Sequence, residues 1–499
     1  MPFNPPYAPY DPTDKACFSY ETVLKRWPII ITGVIDHLHN VCHALSIEGS
    51  QLAVDDAAGR ARVQARVQEG TGIIEKISKL KYEMARDRAL EHIPDDGGAD
   101  VELYNSELAT LEKENRNTWF TAPWLYAECY LYRLLRSFFL QTEGWKDADP
   151  FYEQKMKTFK HSSKSVIQLA TMMQDLEAEK ETLRSNPETL KVLFNEMIQM
   201  CLWGNATDLS LLTHLTEADI QNLQTVGKDA QAARQKFILK DDEEAVWNHV
   251  QTLKGGQVDF VLDNSGFELF TDLVFADFLV TCTPYVSKVI FHPKLIPWFV
   301  SDVTPPDFSA TLAALTDGAL FAEADGVSPA QLANVRALGA RWTAHHAQGD
   351  FALSVDAGTP LGGGAAGAGA PAAFWTTARP YWDMRTEAPG TFGLLAASDL
   401  VVFKGDLNYR KLTGDVRWPA WTPFKEAIGT SLLSPANRWR LTFSSAGPLA
   451  GAFPLLSLRT NKADVVTGVP RETAEALDAS GEKWRVDGRY ALVSFVPRN

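Results

Sequence analysis

The stretch "VDFVLDNSGFELFTDLVFADFL", residues 258–279, decides the fold. An apolar run ends in Asp263-Asn264-Ser265-Gly266, and the amphipathic run "FELFTDLVFADFL" follows. That order predicts a buried strand, a turn and a helix. Taken alone, the tetrapeptide is a turn, because Asp, Asn, Ser and Gly tolerate left-handed backbone and form local side-chain bonds. Ser265 is a candidate N-cap. A helix start beside the acidic pair would also favour an anionic ligand.

Working outward, short β-branched or aromatic runs alternate with helical patterns from about residue 241: "SKVIFHP", "PWFVSDV", "SDLVVFKGD", "LLSLRTNK" and "YALVSFV". Continuous apolar strands between helices predict a mostly parallel sheet covered on both faces. Before it, residues 20–240 read as helices, with "WLYAECYLYRLLRSFFL" (124–140) and "KVLFNEMIQMCLWGN" (191–205) at helical spacing. The first of these is preceded by a break at "DDGGAD" (95–100), and the second has a candidate C-cap at Gly-Asn. The expected fold is therefore α/β: a three-layer α/β/α domain over 241–499, preceded by an α-helical N-terminal domain over 1–240.

Ligands of such sheets bind beyond the carboxyl ends of the strands, near a topological switch point. The residues there form a consistent set: Asp263 and Asn264, Asp302 after "WFVS", Lys404, Asp406, Asn408 and Arg410 in "VVFKGDLNYR", and Arg459 and Lys462 in "SLRTNK". Carboxylate and amide oxygens suit Mg²⁺ or Mn²⁺, and Lys and Arg suit a phosphate. The combination points to phosphoryl chemistry.

The formal net charge of −14 argues against a general nucleic-acid binder, which needs a basic surface. Five scattered cysteines without a Cys-x-x-Cys pair read as reduced thiols of a cytosolic or nuclear protein. No apolar run has membrane-spanning length and the first residues do not read as a signal peptide, so a soluble protein with no membrane partner is expected.

Two motifs are set aside. "GGGAAG" (362–367) spells Gly-x-Gly-x-x-Gly, but Pro360 precedes it and Ala-rich sequence up to Pro371 follows. A dinucleotide loop must open a helix directly after a strand, so 357–373 reads as a Gly/Ala-rich loop insertion. "DHLHNVCH" (36–43) puts His39 and His43 on one helical face without the rest of a zinc motif. No nucleophile-elbow serine and no P-loop is present.

These residues resemble the damage-control phosphatase family, metal-dependent sugar-phosphate phosphatases whose eukaryotic branch is also described as protein-glutamate O-methyltransferases. The matching segments are "WLYAECYLYR", "LWGNATDLSLL", "VLDNSGFELFTDLVFADFL", "IPWFVSDVTPPDF", "FKGDLNYRKLTGD" and "RTNK", spread from about residue 18 to the C-terminus. The resemblance implies Asp263, Asn264 and Asp302 as metal ligands, and Asp406, Leu407, Asn408, Tyr409 and Arg410 as a substrate-binding segment. It implies Arg459-Thr460-Asn461-Lys462 as the family's Arg-Thr-x-Lys motif, with Lys462 on the phosphate. Glu268 falls where the methyltransferase description places a methyl-donor contact.

The expected activity is hydrolysis of small sugar phosphates or damaged phosphometabolites, fructose-1-phosphate-like, with Mn, Co, Ni or Mg. Asp263 holds the ion, Asp406 or Glu268 is the general base, and Lys462 and Arg410 hold phosphate oxygens. The alternative is an S-adenosylmethionine-dependent protein-glutamate carboxyl methyltransferase, for which no glycine-rich donor loop is visible. A non-catalytic helical binding module is a third class, and it would need none of these polar strand ends.

Overall fold

The structure is a computed structural model describing residues 3–53, 55–204, 235–362, 370–429 and 449–499. The quoted stretch folds as strand, turn and helix: β2 (Gly256–Val261), Asp263–Gly266, then the helix Phe267–Asp277. Six further strands join β2: β1 (Ile238–Asp241), β3 (Val286–His292), β4 (Phe351–Leu353), β5 (Leu400–Lys404), β6 (Leu455–Thr460) and β7 (Ala491–Val496). Their order across the sheet is β1-β7-β6-β5-β2-β3-β4. All neighbours are parallel except β6 and β7.

From β2 the chain moves outward through β3 and β4, then returns to place β5 on the other side of β2. The gap between the carboxyl ends of β2 and β5 is thus the topological switch point. Side chains alternate across the sheet. Val258, Phe260, Leu400 and Val402 face one apolar cluster, while Val261, Val401 and Phe403 face the other.

Both faces are covered by helices, which makes three layers. The helices Trp27–Gln51, Ala57–Ala85, Val101–Lys113 and Trp124–Leu140 supply the second cluster, and Ser163–Ala178 and Pro187–Gly204 supply the first. The helical N-terminal part is therefore divided between the two faces of the sheet. The expected helix over 124–140 has those bounds, residues 95–100 lie between helices, and the 191–205 pattern lies in Pro187–Gly204. Asn205 of its expected cap, and Asn205–Leu212 of "LWGNATDLSLL", lie outside the described residues, as do 363–369 of the Gly/Ala-rich insertion.

Two expectations are corrected. "PWFVSDV" is not a strand; it is a turn in which Phe299 and Val300 take φ of 46° and 72°, and only Asp302 pairs, through an isolated antiparallel bridge to Asn264. Two successive residues in the left-handed region cannot continue extended backbone. Ser265 does not cap the following helix: Gly266 holds that position with φ of 71°. The amide of Ser265 donates instead to the Ser301 carbonyl (2.7 Å).

All five cysteines are free, as reduced thiols require. No helix among the described residues is long and apolar enough to cross a membrane. "DHLHNVCH" lies in the helix Trp27–Gln51, and no group of three or more His, Cys, Asp or Glu among the described residues could hold a metal.

Candidate functional site

The turn after β2 and the turn before Val303 are stitched together by backbone bonds. Ser265 N–H donates to Ser301 O and Val303 N–H to Asp263 O (2.8 Å), so Asp263-Asn264 and Asp302 are neighbours. All three are almost fully buried, at 3%, 3% and 1% exposure. The Asn264 amide is fixed on both sides. Its Nδ2 donates to Glu268 Oε2 (2.7 Å) and Asp263 Oδ2 (3.1 Å), and its Oδ1 accepts from the Ser301 hydroxyl.

Glu268 is in turn gripped by Lys404, the last residue of β5. Lys404 Nζ lies 3.0 Å from Glu268 Oε1 and 2.8 Å from both Asp272 Oδ1 and the Cys201 carbonyl. Burial works against this ammonium, but the two carboxylates outweigh it and hold its pKa well above the usual lysine value. Asp272 is pushed up to about 6, by burial first.

The segment after β5 forms the other wall. Gly405, with φ of 79°, lets the helix Gly405–Thr413 start directly from the strand and puts Asp406 in its first turn. Asp406 Oδ1 accepts from Arg459 Nε (2.7 Å) and from the Lys462 backbone N–H (3.1 Å), so the end of β6 closes on it. Arg459 also donates to the carbonyls of Ala463 and Val465 and stacks over Tyr409, 4.2 Å from the ring centre. Asn408 clamps the switch point itself. Its Nδ2 reaches the carbonyls of Lys404 (2.6 Å), Leu262 (3.1 Å) and Val261 (3.2 Å), and its Oδ1 accepts from Tyr381 (2.6 Å).

The structure therefore gathers Asp263, Asn264, Glu268 and Asp302 in one group and Asp406, Arg459 and Lys462 in another, with Asn408 tying β2 to β5. Leu407 and Tyr409 are buried beside them, and the Tyr409 hydroxyl bonds to Thr467 (2.7 Å). Arg410 has other partners. Its guanidinium pairs with Glu128 (2.6 Å) and Asp415 (3.0 Å) and lies 3.7 Å over the Trp124 ring.

Three residues were missed from sequence. Lys294, two positions beyond β3, donates to the Leu262 carbonyl and lies 3.5 Å from Asp302 Oδ2. Its place just past an apolar run is the signal that could have found it. Tyr381 is buried, and its phenol is pushed well above the ordinary value by burial first, then by Asp302 and Asp263 among nearby acids. Ser301 is visible only through the bridge. Two carboxylates and one carboxamide oxygen form a hard-oxygen set, and they fit a divalent cation that completes its shell with water or phosphate oxygens.

Fold and edge chemistry together define a class: a mostly parallel α/β protein whose carboxylates, amides and cations converge at a topological switch point. Residues 22–477 match the Damage-control phosphatase ARMT1-like domain. The protein called Damage-control phosphatase ARMT1 from Danio rerio is 32% identical over 497 residues, covering 96% of this chain and 94% of its own. Its Mus musculus counterpart is 32% identical over 493 residues (97% of each chain), and that of Homo sapiens 30% over 494 (97% of each). A crystal structure of a DUF89 family protein from Pyrococcus horikoshii aligns with 12% identity and a TM-score of 0.35, over 80% of this chain and 90% of that one. The chain belongs to the damage-control phosphatase ARMT1-like family, and it is a phosphatase.

Proposed function

We propose that this phosphatase is divalent-metal-dependent and hydrolyses small sugar phosphates or damaged phosphometabolites of the fructose-1-phosphate kind. The observation that carries the reading is the Asn264–Asp302 bridge, which sets three oxygen-bearing side chains at the switch point. Asp263, Asn264 and Asp302 would hold the ion, with Mn, Co, Ni and Mg all compatible with oxygen donors. When bound, such an ion supplies neutralising charge to phosphoryl oxygens and a more acidic water.

The chain's own groups do the rest. Glu268 and Asp263 hold the Asn264 nitrogen, so the amide cannot rotate. Asp406 is the general base in this reading: 6% of its side chain is exposed, whereas Glu268 has none exposed. Arg459 orients the Asp406 carboxylate to take a proton from the attacking water. Lys462, on the same turn, holds phosphate oxygens. Arg410 is a brace rather than an oxygen contact in this reading, since Glu128 and Asp415 take its two terminal nitrogens. Burial of the whole set keeps bulk water out and strengthens each charge.

The test is phosphate release from a panel of sugar phosphates with added Mn²⁺, Co²⁺, Ni²⁺ or Mg²⁺, with and without chelator. Asp263→Ala should abolish metal-dependent release and the metal-induced thermal shift while leaving circular dichroism unchanged. Undiminished release in that variant overturns the ligand assignment.

A further inference from the structure

Five lysines, Lys462 among them, are buried in or beside the candidate site, and the charges of the other four are balanced very differently. Lys404 is matched by Glu268 and Asp272, and Lys155 by Asp149 and Asp307, each at 2.8–3.0 Å. Lys294 has one carboxylate, Asp302, at the longer distance of 3.5 Å. Lys411 has none among the described residues; its Nζ rests on the carbonyls of Trp375 (2.9 Å), Thr377 (2.8 Å) and Phe374 (3.5 Å). Burial pushes the Lys411 ammonium down to about 7, and the Lys294 charge adds to that push. The two cations thus lie within each other's field, and Asp302 is a carboxylate that acts on both.

Uncompensated positive charge inside a protein is expensive unless an anion joins it. Lys294 is also incompletely used. An ammonium has three N–H donors, and among the described residues Lys294 Nζ has two partners, the Leu262 carbonyl and Asp302. At 1% exposure the third donor has little water to turn to. Lys411, with three acceptors, is saturated and acts on the site only through its charge.

We propose that Lys294 is a substrate-binding residue, which donates to a phosphate oxygen of the substrate from the Asp302 side of the site. The proposal rests on the phosphatase reading above. It places the anion-binding pole at the ends of β2 and β3, next to Asp302, in the role first expected of Arg410.

The test compares wild type, Lys294→Met and Lys294→Arg in Mn²⁺-loaded enzyme. Inorganic phosphate is the probe, read by thermal shift and by inhibition of sugar-phosphate hydrolysis, and Mn²⁺ affinity is titrated separately without phosphate. A charge-assisted bond of this kind is worth about tenfold or more in affinity. Lys294→Met should weaken phosphate binding and raise KM by at least about tenfold, with Mn²⁺ affinity unchanged or tighter. Lys294→Arg, which keeps the charge, should recover part of the loss.

Unchanged phosphate affinity in Lys294→Met, or a loss confined to Mn²⁺ affinity, overturns the proposal and leaves Lys294 as a counter-charge to Asp302. If Lys294→Met does not fold, Lys294→Arg decides: altered phosphate affinity at constant Mn²⁺ affinity supports the contact, and none overturns it. A wild-type enzyme stabilised by neither Mn²⁺ nor phosphate fails the parent reading instead, a result separable from either variant's.

Discussion

Arg410 shows how far a residue's neighbours in space can depart from its neighbours in sequence. In "GDLNYRKL" it follows acidic and amide residues at a strand end, which is where a phosphate contact would stand. Its partner Glu128 is 282 residues away in the chain, on the helix Trp124–Leu140, and no local pattern announces that pairing. Removing the guanidinium leaves Glu128 and Asp415 as buried charges without a cation. Arg410→Ala should therefore destabilise the fold by about 3–5 kcal/mol, read from urea unfolding. Phosphate affinity of the folded enzyme should stay within about threefold of wild type, well short of one lost charged bond. A loss of affinity without a loss of stability would return Arg410 to the substrate. By contrast, Asp263 and Asn264 were legible as candidates because a strand end is a local feature. Lys294 was overlooked because one lysine after one strand is an ordinary solvated charge in sequence, and only its burial distinguishes it.

At the scale of elements, the helix Gly405–Thr413 carries much of the site and is held at both ends by left-handed glycines. Gly405 starts it, and Gly414 (φ of 68°) ends it. Trp382 packs directly on the Gly414 Cα, so closely that a Cβ there would stand 1.7 Å from Cη2 of the indole ring. Gly414→Ala combines left-handed strain with an overlap against a buried ring and should be destabilising by about 3 kcal/mol or more. A urea midpoint within error of wild type would show that Trp382 can move. Strands were readable from apolar runs, and five of the seven were found. β1 ("ILKD") and β4 ("FAL") were missed because edge strands this short carry almost no periodicity. The false strand at 297–303 has the composition of a real one, since sequence composition does not encode the sign of φ at Phe299 and Val300.

At the scale of the whole molecule, each apolar cluster mixes residues from before and after residue 240. The helical part was legible as helices, but its division over both faces of the sheet depends on long-range packing that periodicity does not report. Such interleaving favours a single cooperative unfolding transition, in which a buried titrating group sets a pH dependence for the entire chain. Glu243, at the start of the helix after β1, is pushed up to about 8, by burial first and then by Asp241. Because its folded value lies above its unfolded one, the native state binds the extra proton. Stability is fully present below the unfolded pKa and is lost as pH rises through about 8. Glu243→Gln should therefore match wild type near pH 4.5 and exceed it at higher pH, by an amount of the order of 3 kcal/mol near pH 8.5. Denaturant midpoints at both pH values check this, and equal midpoints at the higher pH would refute it.

The kink at Phe299–Val300 has one more consequence, for how the chain can change length. Asp302 reaches Asn264 only because two left-handed residues turn the backbone immediately before it. Inserting or deleting one residue between Trp298 and Ser301 would shift the bridge register and swing the Asp302 carboxylate away from Asp263 and Asn264. An insertion or deletion in this short turn should therefore break the site, although the turn lies outside any regular helix or strand. Within this loop, chain length is as much a part of the site as the identity of Asp302.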